Sequence, residues 1–566
     1  GGLTEIAAIG YKRGVMKIKS LIFSWMLFTG ALGVALDAPF VPTHQEMLVN
    51  LDFVKTLFDV NYAPREWKKK RFGWDLNKEL AIAKSTVNYA NPLPLKDFHY
   101  VLKRMLASTH DMHVSVLFHS TERASLPFAV RGVDGHYYIV WIDEERLSPA
   151  SYRIEVGDEL LSFDGKPTQD VIKELMNREF TTNTSLTTQA LTERMLTRRI
   201  GALGHKVPTK PITLTVKHKQ DQTVDTYQLS WIYRDEKIRP LPVKKTAAEH
   251  LNMLLQAEMP FAATENPYAS GHAYGFLPDL GEMIWSAGSR SDFRAYIYKN
   301  DAGKRIGCIR IPHYIAGVKE FLAFKEILKV FQNETDALVI DQLHNPGGNV
   351  FYLYSLASML TNRPLVTPRH RMAITQADVE LAIEILPLFE AIDSDQIAQQ
   401  IFGKTWVGLP VNHQFVQFFL NYQRFVIDQW SQGKTLTDPI HLYGVDQINP
   451  SSEVRYTKPI MILVDQLCFS AGDFFPAIMQ DNKKATIFGV RTSGAGGLVR
   501  EISYPNLLGI NAIHYTASIA ERIDLNPIED LGVKPDIPYT LTKEDLQGGY
   551  HGYIQAVNEA VSTLLK

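Results

Sequence analysis

The sequence predicts a multidomain α/β protein, and three observations carry that expectation. A chain of 566 residues is longer than one hydrophobic core serves, so several compact units are expected. Apolar residues recur every three or four positions across Glu46–Phe58, the mark of an amphipathic helix. From about residue 302 onward, short apolar strands alternate with helical patterns, as in a sheet covered by helices.

Residues 1–35 read as a leader. Met16-Lys17-Ile18-Lys19 precedes an apolar run that ends Gly33-Val34-Ala35, giving the basic start, short apolar core and small-residue cleavage pattern of a secretory signal. On that reading Met16 is the start, residues 1–15 lie upstream, and the chain is exported to a periplasm, the exterior or a host cell. The apolar core is short for a bilayer and no other segment is long enough, so no stable membrane insertion is expected after cleavage.

Residues 36–113 form an N-terminal helical region. From 114 to 237 the pattern turns to strands, at Tyr137–Trp141, Ile212–Val216 and Thr223–Trp231. Asp164-Gly165 is a hairpin-turn signal there, with a helix expected at Thr168–Met176. Residues 238–301 have frequent Pro, Gly and Ser and weak periodicity, so they read as a linker or covering segment. The last unit, 302–566, carries strands at Arg305–Ile311, Ala337–Asp341, Pro459–Asp465 and Ala485–Phe488. A helical insertion at about 376–435 interrupts it, and its aromatic residues from Phe415 to Trp430 read as packing.

Apolar residues make up 45% and charged residues 21%, the proportions of a soluble globular protein. A formal net charge of -2 gives no basis for binding nucleic acid or an anionic membrane. Lys68-Lys69-Lys70-Arg71 reads as a solvated helix face. Cys308 and Cys468 are the only cysteines and lie in or beside core strands, so they read as small buried hydrophobes outside any disulfide framework.

Pro459–Asp465 delivers Ser470 to the start of a helical pattern running to Gln480. A hydroxyl there sits among backbone amides without helical partners, at the positive end of the helix dipole. That setting suits an attacking serine and its tetrahedral intermediate. Ser470 with Asp473 also fits a capping box, which needs no chemistry. Cys468, two residues earlier, would be the rival nucleophile, but its strand-end position favours packing. The turn after Ala337–Asp341 contains Asn345-Pro346-Gly347-Gly348, whose glycines let backbone amides approach a ligand closely. It lacks the Gly-Lys-Ser/Thr of a phosphate loop. Beside Ser470 it reads as half of an oxyanion hole, with the amide of Gly347 or Gly348 acting together with that of Ala471.

Val156-Gly-Asp-Glu-Leu-Leu-Ser-Phe-Asp-Gly-Lys-Pro167 resembles the core of a PDZ domain, a β-module that binds extended peptides by strand addition. Its carboxylate-binding loop is not evident, Ser125–Phe128 being the nearest stretch, so a purely structural role stands beside a binding one. Ala337–Asp341 with Asn345–Asn349, Ser470–Phe475 and Gly489–Gly497 together resemble the tail-specific or C-terminal-processing serine peptidases, whose catalytic domain is crotonase-like. Many members activate the serine with a lysine in the glycine loop; here Ala495 stands in its place. Phe469–Gly497 and Ile528–Pro535 are similar to the chlamydial protease-like activity factor branch, which uses a Ser–His–Glu triad.

That resemblance implies Ser470 as nucleophile, His113 as general base and Glu529 as the orienting carboxylate. The residues by themselves leave His110 and His344, or Asp530 and Asp524, equally open. It further implies protein or peptide substrates, a homodimer, no cofactor or metal, and a zymogen blocked by a segment near 243–300. A catalytically inactive peptide-binding scaffold and a small-ester hydrolase remain as alternatives.

Overall fold

A computed structural model describes residues 42–90, 93–180, 185–237 and 266–566. The leader at 1–35 and the stretch 243–265 of the expected inhibitory segment lie outside the described residues.

Helices His44–Asn61, Arg65–Phe72, Leu76–Tyr89 and Leu95–Ala107 occupy the region whose spacing predicts them. The first is closed by a capping box between Thr43 and Glu46, and the second ends at Gly73 in the left-handed region, φ 66°. Met47, Leu51, Val54 and Phe58 form one helical face and pack with Phe98 and Leu102. The same cluster includes Ile513 and Tyr515, residues more than 400 positions away. Strand Ser115–Phe118 pairs antiparallel with Ile510–Thr516, setting Ser115 opposite His514. The N-terminal region is therefore fastened to the C-terminal domain, and the segment 109–114 is carried between them.

The PDZ-like unit is a sheet ordered Phe128–Val133, His136–Ile142, Glu159–Phe163, Ile212–Lys217 and Val224–Leu229. Asp164 and Gly165 turn the chain with φ 51° and 79°, as a primed hairpin turn requires. The expected helix runs Thr168–Glu179, and a further helix, Leu186–Thr197, lies against the edge strand Phe128–Val133. Its Glu193 accepts the Gly132 amide at 3.0 Å, so that edge amide is already used by the protein itself.

The C-terminal domain is built on a seven-stranded sheet. Its order is Met283–Ser286, Ala295–Lys299, Arg305–Arg310, Ala337–Asp341, Ile460–Val464, Thr486–Gly489 and Ile537–Pro538. The first three strands pair antiparallel and the remaining pairings are parallel. The expectation that 238–301 is a linker or covering segment is corrected for part of its described residues: Met283–Ser286 and Ala295–Lys299 are sheet strands. In the second of them Tyr296, Ile297 and Tyr298 are buried, while Met283 and Ile284 of the first are exposed, and the surrounding Gly and Ser mask the pattern in the sequence.

Ile460, Ile462 and Val464 face one core cluster, and Met461 and Leu463 face another. Burial on both faces is why this strand reads as a continuous apolar run. The insertion forms helices Gln376–Glu390, Asp395–Phe402 and His413–Ser431. Among the described residues no helix is long and apolar enough to cross a membrane.

Candidate active site

The strand Ile460–Val464 ends at Asp465, whose Oδ1 accepts the Leu467 amide at 3.0 Å and turns the chain toward Ser470. Ser470 holds φ 54° and ψ −117°, a strained backbone for a residue with a Cβ. It is half-buried and precedes helix Ala471–Asp481, every residue of which is buried from Ala471 to Met479. Pro476 cannot donate to the Gly472 carbonyl one turn back; Gln342 Nε2 does so at 2.8 Å. The helix start is thereby locked to the turn after Asp341.

The capping box expected of Ser470 and Asp473 does not form, because Ser470 caps no amide of the helix. Its own amide donates to the Ala495 carbonyl at 3.2 Å. Asp473, fully buried, accepts Thr492 Oγ1 at 2.6 Å and the amides of Gly494 and Ala495 at 2.8 and 3.0 Å. Burial pushes its carboxyl up to about 7 against the pull of those donors. Asp473 thus holds the glycine loop against the serine. Ala495, in the position of the family's lysine, is buried there, while Lys483 and Lys484 follow the far end of the helix.

The oxyanion turn is narrowed by the structure. The Gly347 amide donates to Asn345 Oδ1 at 2.8 Å, so it is not a free donor. What Gly347 supplies is closeness: a Cβ on it would stand 2.8 Å from Ser470 Cβ and 2.9 Å from the Ala471 nitrogen. Its φ of 93° also excludes other residues. A Cβ on Gly348 would stand 2.3 Å from the Tyr314 carbonyl carbon. Tyr314 accepts from Asn349 and donates to the Gly347 carbonyl, each at 2.8 Å, which leaves the Gly348 amide outside that bridge. Of the three amides expected to face an oxyanion, those of Gly348 and Ala471 make no hydrogen bond among the described residues.

Glu529 and Ser470 flank the same loop. Asp530 donates its amide to the Gly494 carbonyl at 2.8 Å, and a Cβ on Gly496 would stand 3.0 Å from the Glu529 nitrogen. Glu529 is buried, with one oxygen 2.7 Å from Lys68 Nζ and the other, Oε2, sealed and without a hydrogen-bond partner. Burial and the Asp111 carboxylate raise its carboxyl well above the usual range, and Lys68 pulls the other way. Lys68 also donates to Asp530 at 2.8 Å and to the His110 carbonyl at 3.2 Å. Its burial corrects the reading of 68–71 as a solvated face: Lys69, Lys70 and Arg71 are exposed, but Lys68 is not.

Asp111 orders the segment that carries His113. Its Oδ2 accepts Tyr62 and Thr516 hydroxyls at 2.9 and 2.8 Å, and its Oδ1 accepts the His113 amide at 2.9 Å. His113 is half-buried, and its Nδ1 is sealed without a partner. Burial lowers its pKa, opposed by Asp111 and assisted by Lys68 and His514. His113 and Glu529 therefore share the buried charge cluster of Lys68 and Asp111, and no hydrogen bond joins them.

The other histidines are engaged elsewhere. His110 packs on Phe72 with ring centroids 4.3 Å apart. His344 is buried with Nδ1 3.1 Å from the Tyr268 carbonyl and Nε2 3.1 Å from Arg131 of the PDZ-like unit. Cys468 is a buried free thiol donating to the Gln342 carbonyl at 3.1 Å, and burial raises it well above the usual thiol range, which suits packing. Lys68, Asp111 and the role of Asp473 were invisible to pattern reading. The adjacency of Asp530 to Glu529 is a signal that could have pointed to a nearby cation.

A strained serine at a strand-to-helix turn, facing unspent amides on a crotonase-like sheet, defines the class as a serine peptidase. Residues 305–539 match Peptidase family S41, and residues 122–238 match a PDZ domain. An uncharacterized protein of Chlamydia muridarum (strain MoPn / Nigg) is 33% identical, covering 97% of this chain and 98% of that relative. A protein of Chlamydia trachomatis serovar D is 34% identical, covering 92% of each. The crystal structure of mature CPAF is similar at 34% identity and a TM-score of 0.82, covering 92% of this chain and 98% of that one. Mature CPAF complexed with lactacystin matches with the same identity and TM-score, covering 92% of this chain and 99% of that one. The chain belongs to the CPAF-like S41 serine peptidases.

Proposed function

We propose that the protein is an exported endopeptidase that cleaves protein substrates with Ser470, His113 and Glu529. Ser470 Oγ attacks the peptide carbonyl as its proton passes to His113 Nε2, and the amides of Ala471 and Gly348 receive the oxyanion. Collapse expels the amine, which takes the proton from His113 and leaves an acyl group on Ser470. Water, deprotonated by the same imidazole, releases the acid and restores the serine. The observation that carries the roles is the pair of sealed, unpartnered atoms, His113 Nδ1 and Glu529 Oε2, in one cluster beside the loop that touches Ser470.

Fluorophosphonate labelling tests this, comparing the wild type with Ser470→Ala and His113→Ala. Labelling should require both residues; labelling of a folded Ser470→Ala chain equal to wild type would sink the assignment. Lactacystin, bound by mature CPAF, is a second probe and should compete with the label.

The proposal extends to a homodimer and to a zymogen that cuts itself. Because Met283–Ser286 and Ala295–Lys299 are sheet strands, the excised segment should end before Met283. Intact mass after incubation should show cuts between 238 and 282, and sedimentation should give twice the mass of the chain.

A further inference from the structure

Resting on that triad reading, we infer that Lys68, from the N-terminal helical region, is a positioning residue for the catalytic carboxylate. It clamps one oxygen of Glu529 and leaves the other for the imidazole of His113.

An ammonium group carries three protons, and those of Lys68 are matched by three acceptors: Glu529 Oε1, the Asp530 carboxylate and the His110 carbonyl. Neighbouring Trp67 donates Nε1 to Asp530 Oδ2 at 2.8 Å, so two adjacent residues of one helix grip two adjacent carboxylates of the loop. An ammonium with no exposed surface is too costly to bury for structure alone unless its partners are fully used. Glu529 is not fully used, since Oε2 is sealed and empty. Glu179 shows the difference within the same molecule. It too is a buried glutamate beside a lysine, Lys103, but its second oxygen is taken by Arg178 at 2.9 Å.

The groups that act on Glu529 are Lys68 from the helical region, Asp111 from the segment 109–114, and Asp530 beside it; Asp111 and Lys68 also act on His113, and Glu529 in turn raises Tyr62. Lys68 is the only cation among the residues that shift it, against burial and two carboxylates. Remove it and the Glu529 carboxyl rises further. The imidazolium of His113 also loses a repelling neighbour, so its pKa rises as well. Both changes push the acid limb of the rate profile toward higher pH. Removing the charge of Asp530 acts on Glu529 in the opposite sense.

The test is kcat and KM against pH on a peptide substrate, with the full chain and active sites counted by fluorophosphonate. Lys68→Met, Lys68→Arg and Asp530→Asn are compared with wild type, and Ser470→Ala is the blank. Lys68→Met should raise the acid limb by about one pH unit and lower kcat with KM little changed. Lys68→Arg should restore most of the limb because the charge is kept, and Asp530→Asn should lower it. A Lys68→Met profile superimposable on wild type would overturn the inference and leave Lys68 as a structural ion pair. Should that variant fail to fold, Asp530→Asn decides, and a limb that stays put or rises overturns the proposal. Full turnover by Ser470→Ala would instead show that the triad reading itself had failed, and the inference with it.

Discussion

His344 and His113 are both set among charged residues, yet the fold completes one and leaves the other open. At the contact with the PDZ-like unit, His344 donates Nδ1–H to a carbonyl, holds Nε2 3.1 Å from Arg131 and 3.2 Å from Asp465 Oδ2, and packs 4.8 Å from the Phe276 ring. Burial and the charges of Arg194, Arg131 and Arg310 hold it neutral, well below the usual histidine range. At the contact with the helical region, His113 has its backbone fixed by Asp111 but its Nδ1 unpaired beside a cluster holding an unpaired carboxylate oxygen. A histidine with both nitrogens already engaged by fixed partners is held in place by them. A histidine with an empty site, sharing a charge cluster with an acceptor in the same condition, is the one proposed above to move a proton. Polar satisfaction, more than burial or charge, separates the two.

The largest expected effect that would break this comparison is on His113. His113→Ala should lower kcat by on the order of 10⁴–10⁶, as in other serine triads, with the melting transition nearly unmoved. Next is Gly347→Ala, where the new methyl would press on Ser470 and the Ala471 amide. A displacement of about 1 Å there should cost roughly 10²-fold in kcat. Peptide turnover per labelled site measures both, and a Gly347→Ala enzyme as fast as wild type would show that closeness at this turn is unimportant.

His344→Gln sharpens the contrast in the other direction. It should lower stability by about 1–3 kcal/mol, because buried partners lose their bonds, while kcat per labelled site stays near wild type. Denaturant unfolding with parallel turnover checks this; loss of turnover in a folded variant would place His344 in the chemistry.

The smallest effect is in pH. Both histidines have folded-state values below the unfolded 6.5. Below that pH the unfolded chain takes up protons that the folded chain refuses, so each contributes stability that is present above 6.5 and lost as pH falls through its folded value. For His113 the same shift should keep the base neutral, so the acid limb of kcat/KM should lie below pH 6.5. A limb above 7 would mean that the carboxylate cluster outweighs burial.

Much of this was legible in sequence. The nucleophile turn shows because an apolar strand, a serine and a helical pattern are local features. The glycine turn shows because positive φ and close approach select glycine at Gly347 and Gly348. The strands Met283–Ser286 and Ala295–Lys299 were not legible, since neither alternates on its own: the second is buried where it pairs with Arg305–Arg310, and the mostly exposed first pairs only with the second.

The sequence by itself determined the chemistry-bearing types: a serine at a helix start, glycines beside it, and an alanine where a lysine would stand. Tertiary structure decided which partners they meet. Four consecutive basic residues on a helix step around its axis by about 100° each, so the run cannot stay on one solvated face. Which one turns inward depends on Glu529 and Asp530, some 460 positions away. The spending of the Gly347 amide on Asn345 and the saturation of His344 by Arg131 were decided in the same way. Hydrogen bonds and charge pairs between distant segments form only when packing brings them together, and no local pattern encodes them.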